Sequence, residues 1–218
     1  MTEPTASSPR ELPLFPLGTV QFPGLPLDLQ VFESRYLQLL EDLATGESQE
    51  FGIVAISSGH EVGAENLHGI AEVGCAVRIE RTQPAGGRVV LRAIGTWRFG
   101  GIEIVDRGTP YLVARVQPLP QDPVSAAEPE ATDALRSALF AYATAADLQL
   151  GAVPADLDAL GWWIAAGGPL TQAERLRLLG MARAERWELL GRWLRREARL
   201  LTSTHTVPFE GDRRQSIN

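Results

Sequence analysis

The chain has 218 residues, 44% of them hydrophobic and 22% charged, with a net charge of −7 and one cysteine. These proportions suit a soluble globular chain that buries a core without staples, and the acidity disfavours a nucleic-acid binder, which needs a basic face for phosphates. One cysteine excludes an internal disulfide; the complete absence of lysine (all 20 basic residues are arginine) excludes a Walker-type phosphate loop, a Ser–Lys dyad and a Schiff-base lysine.

Residues 1–10 are small and polar and read as a loose arm with no apolar signal segment. No run approaches the ~20 apolar residues that span a bilayer. A cytoplasmic location, with no membrane partner, is the expectation. From Leu12 the texture is β: Leu25, Leu27, Leu29 and Val31 alternate with Pro26, Asp28 and Gln30, a period of two with one buried face. Repeated Pro and Gly suit a small, sharply curved sheet. At Ser34 the period changes. Tyr36, Leu40 and Leu43 fall at i, i+4, i+7, predicting a short amphipathic helix that begins at Glu33 or Ser34 and stops at Gly46.

FGIVAI at 51–56 reads as a buried strand, and the polar stretch after it as a loop. Val73, Cys75, Val77 and Ile79 alternate with Gly74, Ala76, Arg78 and Glu80, predicting a half-buried strand. QPAGG at 83–87 is a turn with RVVLRAIG as its hairpin partner; TWRFGGIEIVD and PYLVARVQPL add two more strands. The Pro- and Ala-rich segment 118–132 reads as a linker or the ragged start of a helix. Beyond it the period is helical: 133–150, a helix with Pro154 in its first turn, a third opened by a Thr171–Glu174 capping box, and a last one striped by Trp187, Leu190, Leu194, Ala198 and Leu201. The division is an arm (1–10), a strand domain (11–120), a helical bundle (121–203) and a mobile tail (204–218).

Candidate chemistry is sparse. His60 and His68 share a loop with Glu61 and Glu65, and His205 stands alone, but no metal-ligand spacing joins them. No metal and no cofactor is expected. Cys75 reads as a small buried hydrophobe, not a nucleophile. No G-x-S-x-G elbow or dinucleotide fingerprint is present. Arg192, Arg195, Arg196 and Arg199 lie mostly off the last helix's apolar stripe and read as a solvated face. Trp162 and Trp163 point about 100° apart on one helix, so one can face the core while the other anchors a partner, although core packing of both is the commoner outcome.

LPLFPL (12–17), VQFPG (20–24) and VFESRY (31–36), followed by FGIVAI, EVGCAVRIER (72–81) and the helices carrying VPADLDALGWWIAA, LTQAERLRLLGM and ERWELLGRWLRRE, resemble the Lon protease N-terminal, substrate-binding domain over about residues 11–203. Gln30 stands where that family often has histidine. The ATPase and peptidase parts of Lon have no counterpart here, so the chain reads as a stand-alone, non-catalytic member. The resemblance implies an α+β fold: an N-terminal PUA-like mixed β-barrel (pseudouridine-synthase-and-archaeosine-transglycosylase-like) with a short helix, followed by a C-terminal α-helical bundle. It also implies recognition of unfolded or extended polypeptide, in an adaptor role beside a protease or chaperone machine. Phe15, Phe22, Phe32, Glu33, Arg35, Trp162 and Trp163 are the polypeptide-contact candidates, chosen by motif membership and aromatic character. The alternative is an RNA-binding PUA-like protein, resting on fold analogy and the arginine helix.

Overall fold

The computed structural model describes residues 8–46, 48–56, 69–120 and 128–204. The segment with His60, Glu61, Glu65 and His68, together with His205, residues 1–7, linker residues 121–127 and the tail from 205, lies outside the described residues. Among the described residues there are six strands, β1 (Arg10–Leu17), β2 (Pro26–Val31), β3 (Glu50–Ile56), β4 (Ile70–Pro84), β5 (Val89–Val105) and β6 (Leu112–Pro118). Five helices accompany them: α1 (Ser34–Thr45), α2 (Glu128–Ala145), α3 (Leu157–Gly167), α4 (Gln172–Gly180) and α5 (Arg183–Thr204).

The strands form one mixed sheet whose pairings run in a circuit. β1 lies parallel to β3, with Leu14 opposite Gly52. β3 is antiparallel to β4, and β4 to β5. The far end of β5 pairs β6, and β6 returns to β1 with Ala114 opposite Leu12. β2 stands outside the circuit, along the first half of β5, with Leu29 opposite Leu91.

Two expectations need correction. RVVLRAIG and TWRFGGIEIVD are one strand, β5, of 17 residues. Register shifts bend it, the last between Gly100 and Glu103, where Gly101 takes φ +56°. A bulge at that position turns the chain without ending its pairing. Gly74 and Ala76 are buried as well as Cys75 and Val77, because β4 has a packed layer on each face. One layer holds Leu12, Leu14, Val54, Ala76, Phe99, Ala114 and Val116. Gly52 and Gly74 make room there, since a Cβ at either position would collide with the Phe99 ring. On the other layer α1 lays Tyr36, Leu39, Leu40 and Leu43 over Phe15, Phe51, Ile53, Val77, Leu91 and Ala93.

The β4–β5 hairpin closes through Ala85 and Arg88, whose backbones bond each other around Gly86 (φ +57°) and Gly87 (φ +79°). Two consecutive positive φ values are what a type I′ turn requires, and glycine accepts them without strain.

α3 and α4 start where side chains supply caps. α1 follows Glu33 and ends at Gly46. The Thr171–Glu174 capping box is formed, Thr171 N–H donating to Glu174 Oε2 at 2.8 Å and Glu174 N–H to Thr171 Oγ1 at 3.3 Å. Pro154 is not in the first turn of α3: Asp156 caps that helix, accepting from Ala159 N–H at 2.8 Å. An aspartate acceptor satisfies an orphan donor that proline cannot. α2 reaches back to Glu128, earlier than the sequence period indicates, and ends at Ala145. On α5 Trp187, Leu190 and Leu194 are buried, while Arg192, Arg195, Arg196 and Arg199 are exposed. The largest buried cluster draws on both halves, joining Val20, Phe22, Ala55 and Ala71 to side chains of α2, α3, α4 and α5.

Candidate functional site

The corner between β2 and α1 is where the sequence switches period, and the switch decides which side chains are free. Val31 ends the strand facing inward, 2% exposed. Tyr36 is the first inward position of the helix and stacks on Phe15 with ring centroids 4.0 Å apart. Between these two anchors alternation turns Phe32 outward, where it is 69% exposed. It is the most exposed of the large apolar side chains among the described residues. Glu33 and Arg35 flank it. Arg35 Nη2 lies 2.6 Å from Glu33 Oε2, Arg35 Nε donates to the same oxygen at 2.9 Å, and the guanidinium sits 4.7 Å from the Tyr36 ring centre. The fork is thus held over an aromatic face by two kinds of contact at once.

Behind this corner α1 is tied to the loop before β6: Tyr111 Oη donates to Asp42 Oδ2 at 2.6 Å. Burial, then the bond to Asp42, push the Tyr111 hydroxyl up to about 12; the Tyr111 and Gln38 bonds hold Asp42 below its ordinary value. Tyr111 therefore stays a donor through the neutral range.

Three of the seven contact candidates are corrected by burial. Phe15 is 7% exposed, Phe22 1% and Trp162 4%. Phe22 belongs to a hook. The VQFPG segment is not a strand; it turns at Gly24 (φ +73°), whose N–H donates to Gly95 O at 2.8 Å, while Gly95 N–H donates to Leu25 O at 3.0 Å. A Cβ on Gly95 would collide with the Phe22 carbonyl oxygen. Buried Gln21 braces the same turn by donating to Leu25 O at 2.7 Å. The hook drives Phe22 into the helical half, stacked on Trp162 at 5.2 Å. Trp162 meets the edge of Trp187 at 5.5 Å, and the Arg186 guanidinium lies 4.0 Å from the Trp162 centroid. Trp163 is partly buried against the same cluster. The candidates therefore separate into one exposed corner (Phe32, Glu33, Arg35) and one packed seam (Phe22, Trp162, Trp163), with Phe15 under α1.

The sequence reading missed Arg98. It is 8% exposed, and its guanidinium donates to Leu179 O and Met181 O, both at 2.8 Å, and to Pro120 O at 2.8 Å. A strand residue thereby binds the carbonyl end of α4, where a cation also meets the favourable end of the helix dipole. Its only sequence signal is a charged residue between Trp97 and Phe99, which alternation does not distinguish from a solvent-facing position. Nearby, burial raises the Asp158 carboxyl above its ordinary value against the opposing charge of Arg183, 2.9 Å away. Burial pushes the Cys75 thiol up to about 12, which leaves it inert as a nucleophile.

Among the described residues no group of three or more His, Cys, Asp and Glu side chains is placed to hold a metal ion. No described helix is long and apolar enough to cross a membrane.

Comparison with known proteins places this strand-then-helix arrangement in a family. The model of the ATP-dependent protease La (LON) substrate-binding domain matches residues 11–196, and the chain belongs to that family. Among solved structures, it is similar to a Lon N-terminal domain protein from Xanthomonas campestris, at 30% identity and TM-score 0.62, over 84% of this chain and 98% of that one. It shares its fold with the N-terminal domain of a Mycobacterium avium complex Lon protease, at 17% identity and TM-score 0.63, over 85% of this chain and 98% of that one. No curated protein matches the sequence.

Proposed function

We propose that this chain is a non-catalytic polypeptide-recognition module that works as an adaptor in protein quality control in the cytoplasm, delivering unfolded or extended segments to a protease or chaperone machine. The observation that carries it is Phe32, 69% exposed at a rigid corner, in a chain that belongs to a substrate-binding family. Phe32, Glu33 and Arg35 form the contact, with Phe15 packed behind them against Tyr36; Phe22, Trp162 and Trp163 belong to the seam with the helices and lie outside it. The circuit of strand pairings favours a PUA-like barrel for residues 11–120, and the mutual packing of α2, α3 and α5 favours a helical bundle for 121–203.

The test is fluorescence anisotropy with a labelled, permanently unfolded polypeptide and its folded counterpart. Preferential binding of the unfolded form, lost in Phe32→Ser, is the expected result; equal binding of both forms, or of neither, would sink the reading. The exposed arginines of α5 favour the second reading, RNA binding. A short RNA in the same assay decides it: retention that weakens steeply with salt supports RNA.

A further inference from the structure

The circuit of pairings leaves one strand with a single partner. Among the described residues β1, β3, β4, β5 and β6 each pair on two sides, whereas β2 pairs only β5. An antiparallel ladder uses the backbone groups of alternate residues, so every second residue of β2 directs its N–H and C=O away from β5. Among the described residues no other hydrogen bond reaches the backbone of Pro26–Val31. Unpaired groups at this spacing are complementary to one thing, another extended backbone.

Resting on the polypeptide-recognition reading, we propose that the β2 edge is its docking line, and that the occupant is an extended segment that adds as a strand, with an apolar side chain beside Phe32 and a basic one beside Asp28. Charge and alternation select that occupant. Asp28, Gln30 and Phe32 share one exposed face by their period of two. Gln30 is engaged by Arg88 at 3.0 Å, and Asp28 is the only charged residue of β2. Its nearest cation, Arg92, is 3.9 Å away and shared with Glu80 at 3.8 Å, which leaves Asp28 open to a second cation. A second copy paired antiparallel through β2 would instead bring Asp28 close to its own image, a like-charge arrangement that sheets disfavour. Pro26 at the strand's start has no N–H and limits the line at that end. Asp28 and Phe32 are four residues apart, so the segment carries its basic and apolar residues at the same separation.

The experiment uses the full chain and a labelled nine-residue peptide of alternating valine and threonine carrying arginine and phenylalanine four positions apart, plus derivatives N-methylated at each amide in turn. Expected is binding that weakens about three- to tenfold for methylation at every second amide and is unchanged at those between. Asp28→Asn removes the preference for arginine over glutamate in the peptide without removing the period-two pattern. Binding with uniform sensitivity, or none, to methylation overturns strand addition. If the peptide fails while the unfolded polypeptide binds, the edge is wrong and the broader reading stands; if both fail, both are wrong. A dimer formed through β2 without peptide would assign the edge to a second copy and overturn the proposal.

Discussion

In the strand circuit each inward side chain stands on a backbone already fixed by pairing on two sides, whereas the helical half is joined to it through side chains, by a shared apolar cluster and a few polar ties. Phe99 fills its space because Gly52 and Gly74 on neighbouring strands leave room for the ring. Across the seam, Val20, Phe22, Ala55 and Ala71 pack against the helices, and the Arg98 fork on three carbonyls and Gln172 donating to Ile56 O at 2.8 Å add polar ties. The difference teaches that ladder hydrogen bonds hold the strand backbone whatever side chain is lost, while the seam is held by side chains alone.

The largest effect is expected at Trp162. Trp162→Ala removes the ring between Phe22 and Trp187 and costs about 3–5 kcal/mol in chemical denaturation. Cys75 sharpens the comparison, since its buried thiol reacts only when the strand layer opens. If the halves open separately, Trp162→Ala leaves Cys75 alkylation slow in native buffer; labelling that accelerates in step with the lost stability would show that they open as one. Next is Arg98→Met, which leaves three carbonyls unsatisfied and costs about 2–3 kcal/mol, with Arg98→Lys recovering only part because a point ammonium cannot span the fork. Equal stability of Arg98→Met and the parent would break the claim that the seam depends on this residue.

A smaller, pH-dependent effect belongs to α4. The Thr171 backbone N–H, then its hydroxyl, hold Glu174 below its ordinary 4.5. A carboxylate with a depressed folded value contributes stability above its unfolded value and loses it as pH falls through the folded one. The stability difference between the parent and Glu174→Gln is therefore expected in full at neutral pH, to shrink as pH falls below the ordinary glutamate value, and to vanish once pH has passed through the lower folded one. A difference that persists in acid would mean that the cap does not depend on the charge. The smallest effect on stability is Phe32→Ser, within about 0.5 kcal/mol, because the ring is solvated already. It is nevertheless the substitution expected to remove polypeptide binding, and its thermal melt should overlay the parent's.

The local devices were legible in the residues themselves. The period change at Ser34, the stop at Gly46, the glycine pair at 86 and 87, the Thr171–Glu174 box and the α5 stripe are all short-range features, fixed by φ, by caps or by one element's spacing. Family membership was legible too, since it rests on motifs in order. Within the candidate site, exposure was not legible: Phe22 and Phe32 follow similar Pro/Gly-rich β segments, yet one ring is 1% and the other 69% exposed.

Sequence alone therefore determined which elements form and which family they build, because capping, turn geometry and periodicity act within a few residues. Tertiary structure alone decided that Gly74 and Ala76 face a second buried layer, that β5 bends through Gly101 instead of ending, that Arg98 is a buried strut, and that, among the described residues, β2 pairs with one strand only. Each of these depends on which distant segments meet, and a pattern of single residues holds no record of its partners across the sheet.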